Sequence, residues 1–308
     1  MNAEITSPLT FSKNVKEIGT IKSDEIIDIY TKHFSMDVKH YFVNIPEIKI
    51  MQCVDTGYSF YYPFNIAGDK HYYEKMGAFD WYYNPLRWEH VKIMDLLPDS
   101  FEMLEVGAGS GHFLKHLKGK FKNASLYGLE LNDAGIETAA KMGIQLKNST
   151  IEDFVLSNNK KFDYVCSFQV LEHIPNPYSF IYCQVKCLKK GGKLVIGVPN
   201  NDSFISENKL YSRVINMPPH HMGLWKPESL KGLEKIFDIK FKEIYYEPLV
   251  ISNVDTYMWN KLNKVFFNTP LLTNLVWKFG FHKALRKTVL KRSVNVKGHS
   301  MLVVFEKN

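Results

Sequence analysis

The sequence predicts an α/β fold built around a mostly parallel sheet. Between residues 86 and 200, short apolar runs typical of buried strands alternate with amphipathic stretches of helical period. A glycine-rich segment, Gly107 to Gly111, joins the first apolar run directly to the first helical stretch. Because parallel strands need crossover connections, and these are usually helices, the alternation indicates a sheet flanked by helices.

Four apolar runs are the predicted strands of this region. They are FEMLEVG (101–107), ASLYGLE (124–130), FDYVCSF (162–168) and KLVIGVP (193–199), with a short further strand before Ser149. The helices between them are predicted at 112–119, 132–142 and 177–190. The last helix has Asn176 as an N-cap, and the Lys-Lys-Gly-Gly sequence at 189–192 is typical of a helix end.

Shifts in pattern divide the 308 residues into three zones. Residues 1–85 form an N-terminal extension that is rich in Tyr and Phe and irregular in period, and residues 86–200 form the core described above. Residues 201–308 are predicted to complete the sheet. This last zone contains a helix at 227–235, strands at 239–246 and 301–306, and a basic helical insertion at 256–296.

The composition is that of a globular chain with a large core, since 45% of the residues are hydrophobic and 14% aromatic. No apolar run reaches the roughly 18 residues that a membrane-spanning helix requires. The polar start, Met1 to Lys16, lacks the order of a signal peptide, and four scattered cysteines do not suggest a disulfide framework. We therefore expect a cytoplasmic protein.

The glycines at 107–111 indicate a cofactor loop. Glycine lets the backbone turn sharply and approach a ligand, and the helix that follows offers free N–H groups at its N-terminus. A dinucleotide-binding loop, as in a nicotinamide dehydrogenase, has the spacing GxGxxG. Here the spacing is GxGxG, and Glu105 precedes it at the end of the strand.

This loop and three later segments together resemble the class I S-adenosylmethionine (SAM)-dependent methyltransferases. MLEVGAGSGHF (103–113) resembles their first motif, Glu130 ends the second strand, and STIED (149–153) follows the third. FDYVCSFQVLEHIPNP (162–177) resembles the fourth-strand motif of the ubiquinone-biosynthesis O-methyltransferases. The resemblance implies a Rossmann-like, seven-stranded sheet with an antiparallel last strand. It also implies SAM as cofactor and S-adenosylhomocysteine as product.

By this resemblance, the cofactor site combines residues from four strand ends and the extension. The expected residues are Glu105, Gly107, Ala108, Gly109, Gly111, Glu130, Leu131, Thr150, Ile151, Glu152, Phe168, Gln169, Tyr82, Tyr83 and Arg87. Glu130 would bind the ribose hydroxyls, and Arg87 would pair with the carboxylate of SAM. The alternative for the Tyr-rich extension is hydrophobic packing against the sheet.

The candidate catalytic residues are acids and histidines, because methyl transfer requires positioned reactants and a base for the acceptor's proton. They are Glu172, His173, His220 and His221. The last two lie in NMPPHHMGLWKPESL (216–230), which we expect to form an acceptor loop at the carboxyl ends of the strands. Two alternatives remain: the first pair braces its own loop, or the 216–230 segment packs onto the sheet through Trp225.

No metal site is expected. Some relatives with a fourth-strand ExxEH motif bind a divalent cation through its acids and histidine, but here Gln169 stands in place of the first acid. The stretch from Cys53 to Gly57 resembles a zinc knuckle whose second cysteine is replaced by Thr56. Both departures argue against a bound divalent metal.

The leading functional hypothesis is SAM-dependent O-methylation of a sugar, nucleotide sugar or glycan. Segments 53–90 and 216–230 resemble methyltransferases of bacterial sugar and cell-surface glycan pathways. The aromatic rings of the extension would suit carbohydrate faces. Two alternatives are an inactive SAM-binding interaction subunit and an RNA methyltransferase, which would bind RNA in a salt-dependent way.

The net charge of +7 is concentrated near the C-terminus, where residues 256–305 contain nine Lys or Arg and no Asp or Glu. Such a one-sided segment favours anionic partners, here a phosphorylated acceptor under a lid or the anionic inner face of a membrane. A solvated or packing face is the alternative. No DNA partner is expected, because no recognition fold accompanies the charge.

Overall fold

The computed structural model describes residues 4–79, 82, 86–204, 216–266 and 269–308. Within them, the strands are β1 (Val15–Lys22), β2 (Glu47–Cys53), β3 (Ser59–Tyr62), β4 (Glu102–Val106), β5 (Ser125–Glu130), β6 (Lys147–Asn148), β7 (Phe162–Phe168), β8 (Leu188–Pro199), β9 (Gly223–Leu224), β10 (Ile239–Tyr246) and β11 (Ser300–Lys307). The α-helices are α1 (Ser23–Phe34), α2 (Lys70–Gly77), α3 (Trp88–Met94), α4 (His112–Lys120), α5 (Asp133–Lys141), α6 (Ile151–Ser157), α7 (Pro177–Lys186), α8 (Pro227–Lys231), α9 (Val254–Val265), α10 (Pro270–Lys278) and α11 (His282–Lys291).

The larger sheet has seven strands in the order β10-β11-β8-β7-β4-β5-β6. The strands from β8 to β6 run parallel, whereas β11 runs antiparallel to both of its neighbours. Apolar cores cover both faces: Met103 and Val195 belong to one, and Leu104 and Ile196 to the other. The expected seven-stranded α/β architecture with an antiparallel last strand is confirmed.

Polar caps begin the three helices that follow β5, β6 and β7. Asn132 caps α5, Thr150 caps α6 and Asn176 caps α7, each accepting a hydrogen bond from a backbone N–H of the first turn. The helices predicted at 112–119 and 132–142 are confirmed to within one residue at each end. These caps fix where the chain turns after each strand.

The predicted end of the helix at 177–190 was wrong. Helix α7 ends at Lys186, and residues 189–192 belong to β8. Strand β8 changes register with β7 across these four residues, and Gly191 has φ of +75°. The Lys-Lys-Gly-Gly sequence therefore marks an irregularity inside a strand, where glycine accepts the left-handed conformation, and not a helix stop.

The N-terminal extension is more regular than predicted. Strands β1, β2 and β3 form an antiparallel sheet, whose fourth strand, β9, comes from the 216–230 segment. Strand β3 is buried almost throughout, so its sequence lacks the alternation that identifies a half-exposed strand. Many aromatic rings of the extension, such as Tyr30, Phe60 and Tyr72, are fully buried. Phe60 packs in a core shared with the larger sheet, as the packing alternative expects, whereas Tyr30 and Tyr72 belong to a separate core of the extension itself.

The 216–230 segment is held by Trp225, which is fully buried. Its ring centroid lies 4.2 Å from that of Tyr58, and β9 pairs with β3 immediately before it. The packing role considered for Trp225 is therefore confirmed. By fixing this end of the segment, Trp225 also fixes the residues just before β9, which include two of the candidate histidines.

Helices α9, α10 and α11 form the predicted insertion before β11. A small apolar cluster that includes Phe204, Leu249 and Met258 anchors the first of them. The other two leave large apolar side chains in solvent, and Leu271 and Phe281 are 70% and 69% exposed. Among the described residues, no helix has the length and apolarity that a membrane span requires.

Candidate active site

A cavity of about 680 Å³ lies at the carboxyl ends of β4, β5 and β7. Because the strands are parallel, the loops that follow them meet at this edge of the sheet. The cavity is lined by the glycine loop, the turn after β5, the start of α6, the loop after β7, the histidines before β9 and part of the extension. Most of the expected cofactor and acceptor residues thus line one space.

The glycine loop lies tightly against the loop after β7. The N–H groups of Gly107 and Ala108 both donate to the Leu129 carbonyl, at 2.9 Å each. Gly107 has φ of +76°, and a Cβ atom there would lie 2.5 Å from Cγ2 of Val170. Both the backbone angle and the space therefore require glycine, which leaves the loop backbone exposed to the cavity.

Gly111 has a different role from the one predicted for it. It lies outside the residues that line the cavity, just before α4, with φ of +72°. A Cβ atom there would lie 2.9 Å from the Cβ atom of Ala139 on α5. The third glycine of the motif thus allows close packing of α4, whereas Gly107 and Gly109 line the cavity.

Glu130 connects two loops of the cofactor side. Its Oε2 accepts a hydrogen bond from the N–H of Gly109 at 2.7 Å, and its Oε1 accepts two, from Leu131 and Asn132, at 2.8 Å each. Burial raises the pKa of the carboxyl group, and these three donors act in the opposite direction. Oε1 already accepts two hydrogen bonds, whereas Oε2 accepts one and keeps a lone pair for a ribose hydroxyl.

Glu105 offers a carboxylate oxygen without a partner. Its Oε2 is buried and has no hydrogen-bond partner among the described residues. Burial, reinforced by the charge of Glu130, raises its pKa well above the usual glutamate range. A cation bound at this point would satisfy the oxygen and favour the charged form. The ammonium group of SAM has the required charge and hydrogen-bond donors.

Four further residues of the expected cofactor site line the cavity. They are Leu131, Thr150, Ile151 and Glu152. The N-terminal end of α2 contributes Lys70 to the lining, and its ammonium group lies 2.5 Å from Asp133 at the start of α5. This exposed ion pair connects the extension to the sheet domain. The sequence contained no signal for Lys70.

Phe168 and Gln169 end β7 and line the cavity as predicted. Gln169 is not a glycine, yet it has φ of +55°, a conformation that is held only where surrounding contacts require it. Its side-chain amide donates to Glu89 on α3 at 2.6 Å. Sequence reasoning missed Glu89, which brings a buried carboxylate beside the position where relatives carry the first acid of ExxEH.

Aromatic and histidine rings from α3 and α4 pack behind Phe168. The ring of His90 stacks on Phe113 at 4.6 Å and meets Phe168 edge-on at 4.9 Å. Burial lowers the pKa of His90 to about 3, so this histidine is neutral at physiological pH. His90 lines the cavity and was not predicted. Its neutral ring is a packing surface for the cofactor end of the cavity.

The four predicted catalytic residues come together at the other end of the cavity. The ring of His173 lies 4.6 Å from that of His220 and 4.8 Å from that of His221, centroid to centroid. Nδ1 of His173 lies 2.6 Å from the His220 carbonyl oxygen, and Nδ1 of His221 lies 2.9 Å from Oδ1 of Asn216. Since both oxygens only accept, each Nδ1 carries the proton and each Nε2 keeps a lone pair.

Burial sets the charge of these groups. It lowers the pKa of His173 to about 4 and those of His220 and His221 well below the usual histidine value. Burial raises the pKa of Glu172 to about 8, and one of its oxygens has no partner among the described residues. At neutral pH the three imidazoles are therefore neutral and can accept a hydrogen bond from a hydroxyl group.

The extension covers the cavity through Tyr73, Tyr82 and Arg87. The Arg87 guanidinium donates to the Tyr82 backbone carbonyl at 2.8 Å, and the Tyr73 hydroxyl donates to the His220 carbonyl at 3.2 Å. Tyr83, also expected here, lies outside the described residues. Sequence reasoning missed Tyr73, because most tyrosines around it are buried in the core and nothing in the sequence distinguishes it.

The basic insertion touches the cavity only through residues beside it. Among the described residues after β10, the lining ones are Glu247, Val250, Asn253, His299 and Ser300, all outside 256–296. Around the cavity, acidic side chains outnumber basic ones: Asp69, Glu105, Glu130, Glu152, Glu172 and Glu247 face Lys70 and Arg87. Burial raises the pKa of Glu105 and Glu172, so these two favour the protonated form when no cation is bound, but the set still offers little support for a phosphate deep inside.

A family model described as a methyltransferase domain matches residues 83–238, which are 156 of the 308 residues. The chain belongs to this methyltransferase family. The match covers the cofactor loop, Glu130, the loop after β7 and the histidines before β9. The class I, SAM-dependent assignment made from the motifs is thereby confirmed, with SAM as the cofactor.

Proteins similar in sequence or in structure to this chain are named as methyltransferases. The mitochondrial ubiquinone biosynthesis O-methyltransferase of Dictyostelium discoideum is 29% identical over 191 residues, or 55% of this chain and 58% of that protein. The Rickettsia canadensis protein of the same name is 30% identical over 172 residues, or 53% of this chain and 68% of that protein. A solved SAM-dependent methyltransferase from Archaeoglobus fulgidus is 16% identical, with 71% of this chain and 92% of that chain covered and a TM-score of 0.48.

Proposed function

We propose that this methyltransferase transfers the methyl group of SAM to a hydroxyl group of an acceptor bound beside His173, His220 and His221. The observation that carries the proposal is the single cavity, which joins the glycine loop to this histidine cluster. The relatives named as O-methyltransferases support oxygen as the methylated atom.

SAM supplies a methyl group on a sulfonium, which is already a good leaving group, so the protein's task is mainly to position the acceptor. Glu105 and Glu130 would hold the cofactor's ammonium and ribose groups. The lone pair on Nε2 of His173 or His221 would accept the hydrogen bond of the acceptor hydroxyl and take its proton. Tyr73 and Tyr82 would cover the acceptor and limit the access of water.

The acceptor proposed first is a sugar, nucleotide sugar or glycan, on the strength of the segments 53–90 and 216–230. Tyr73 and Tyr82 offer ring surfaces of the kind that pack on carbohydrates, although most other rings of the extension are buried. The second candidate is a phenolic hydroxyl, which the names of the relatives favour. A phosphorylated acceptor would place its phosphate outside the acidic interior, toward the basic insertion.

An acceptor panel tests this proposal. The full chain is incubated with SAM and, in parallel, nucleotide sugars, oligosaccharides and catechols; S-adenosylhomocysteine release and acceptor mass are measured. A mass gain of one methyl group on a sugar supports the first candidate, and a gain on a catechol supports the second. Tight SAM binding without turnover on any acceptor would favour the inactive interaction subunit, and methylation of RNA would replace both candidates.

The surface of the insertion supports a further partner, an anionic membrane face. Leu271 and Phe281 are largely exposed within residues 256–296, which include eight basic and no acidic residues. Sedimentation with vesicles that contain anionic lipid should retain the protein, and a double Leu271→Ser, Phe281→Ser variant should be released. Leu156→Ser is the control, because Leu156 is 87% exposed far from the insertion in sequence. Equal retention of all three proteins would contradict this partner.

A further inference from the structure

The histidine cluster has features that proton transfer alone does not require. One ring nitrogen from each of His173, His220 and His221 lies within 4.8 Å of the other two. They come from two loops, since His173 follows β7 and the other two precede β9. Three neutral imidazoles this close together form a ligand set for a transition metal.

The hydrogen-bond partners of His173 and His221 orient these rings for metal binding. A metal-binding histidine usually donates its second ring N–H to a carbonyl or carboxylate, which fixes the ring and its tautomer. His173 donates from Nδ1 to a backbone carbonyl, and His221 donates from Nδ1 to Asn216, whose own amide donates to Asn201 at 2.6 Å. In both histidines the Nε2 lone pair is left for a ligand.

Two buried polar atoms beside the cluster have no partner among the described residues. They are Nδ1 of His220 and Oε2 of Glu172, and both residues line the cavity. The other oxygen of Glu172 lies 3.9 Å from Nε2 of His173. A buried nitrogen and a buried carboxylate oxygen without partners each carry a desolvation cost that a bound cation would remove.

We propose that His173, His220 and His221 bind one divalent transition-metal ion, with zinc the preferred one and Glu172 as the neighbouring counter-charge. At Zn–N distances of about 2.0–2.1 Å the nitrogens would have to approach to about 3.3 Å, so the rings must shift by roughly 1 Å. The ring of His220 must also turn, because it stacks on His221 with an interplanar angle of 18° and the lone pairs of parallel rings do not converge. Its Nδ1 makes no bond within the described part of the chain that would oppose this rotation. Three protein ligands leave an open position toward the cavity.

This site differs from the divalent-cation site of the ExxEH motif, which is not expected in this chain. It uses only His173 of that motif and takes two ligands from 47 and 48 residues further along the chain. Nitrogen donors favour zinc or cobalt over magnesium, which prefers oxygen. Binding of an acceptor oxygen at the open position rests on the proposed methyl transfer, whereas metal binding itself does not.

Calorimetry with zinc tests the proposal on the full chain, prepared without a histidine tag and freed of metal by a chelator. Wild type should bind one zinc ion, and His220→Ala and His221→Ala should each bind at least 100-fold more weakly. Asn216→Ala should bind about 10- to 100-fold more weakly, because His221 loses the partner that orients it. His33→Ala is the control, since His33 is exposed on α1.

The visible absorption spectrum of the Co²⁺-loaded protein is a second measurement. Bound Co²⁺ should show the intense bands of a four-coordinate site, and these bands should be absent in His220→Ala and His221→Ala. S-adenosylhomocysteine binding confirms that each variant is folded. Absence of zinc and cobalt binding to wild type, or equal binding by wild type and both alanine variants, would overturn the proposal while leaving the methyltransferase assignment intact. Zinc binding without methylation of any acceptor would instead contradict only the proposed function.

Discussion

Replacement of Glu130 by alanine should weaken SAM binding by at least as much as it destabilises the fold. The carboxylate accepts three backbone hydrogen bonds, from Gly109, Leu131 and Asn132, at 2.7–2.8 Å. These amides lie at the cavity surface, where water can replace the lost acceptor. We therefore expect the free energy of unfolding to fall by only about 1–3 kcal/mol.

The loss in affinity follows from the ribose contacts. A hydrogen bond to a charged group contributes about 1.5–3 kcal/mol, which corresponds to about 10- to 150-fold in Kd. Without Glu130 the Gly109 N–H would lose its acceptor and the glycine loop would be held less firmly. We therefore expect a loss of affinity near the upper end of this range, about 150-fold, for both SAM and S-adenosylhomocysteine. Glu130→Gln should lie between wild type and alanine, because its NH₂ group would face at least one of the three N–H donors.

Calorimetric titration of both ligands at one ionic strength measures these differences. Glu137→Ala is the matched control, because Glu137 is an exposed glutamate on the neighbouring helix α5. The variant and its control should unfold at temperatures within a few degrees of each other. If the Kd of Glu130→Ala for both ligands lies within threefold of the wild-type Kd, Glu130 does not bind the ribose and the assignment of the cofactor site is wrong.

Three further substitutions separate packing from ligand binding. Gly111→Ala should lower the free energy of unfolding, measured in urea, by more than Gly143→Ala does. Both glycines have positive φ, but only at Gly111 would a Cβ atom meet Ala139, at 2.9 Å. Equal losses of stability in the two variants would contradict the packing role of Gly111. Glu105→Gln should raise the melting temperature of the cofactor-free protein yet weaken SAM binding. The pKa of Glu105 is raised in the folded state, so above the usual glutamate pKa the folded protein holds a proton that the unfolded chain has lost, and the stability that Glu105 contributes falls as pH rises. Glu105→Gln should remove this pH dependence of the melting temperature. A lower melting temperature with unchanged SAM affinity would refute the reasoning. Trp225→Ala should cost about 3–5 kcal/mol in chemical denaturation, and a loss below about 1 kcal/mol would show that its buried ring does not hold the 216–230 segment.

The sequence by itself determined the cofactor half of the site. The glycine loop follows β4 and Glu130 ends β5, and both strands are identified by their apolar runs. Residues 150–152 follow β6, an exposed strand of two residues, and the family resemblance rather than an apolar run indicated them. The geometry of such turns depends on consecutive residues, through the φ angles of glycine and the caps of the next helix. Parallel strands then bring these turns to one edge, so order along the chain was enough to place them together.

Only the tertiary structure decided the acceptor half. His173 meets His220 because β9 pairs with β3 and Trp225 packs on Tyr58, contacts between segments more than 150 residues apart. Glu89 reaches Gln169 from another helix in the same way. The Lys-Lys-Gly-Gly sequence was misread for a related reason, since local propensity cannot distinguish a helix end from an irregular strand that its neighbour keeps in place. Local backbone preference fixes the turns, whereas side chains that meet across the fold depend on the packing of the whole chain.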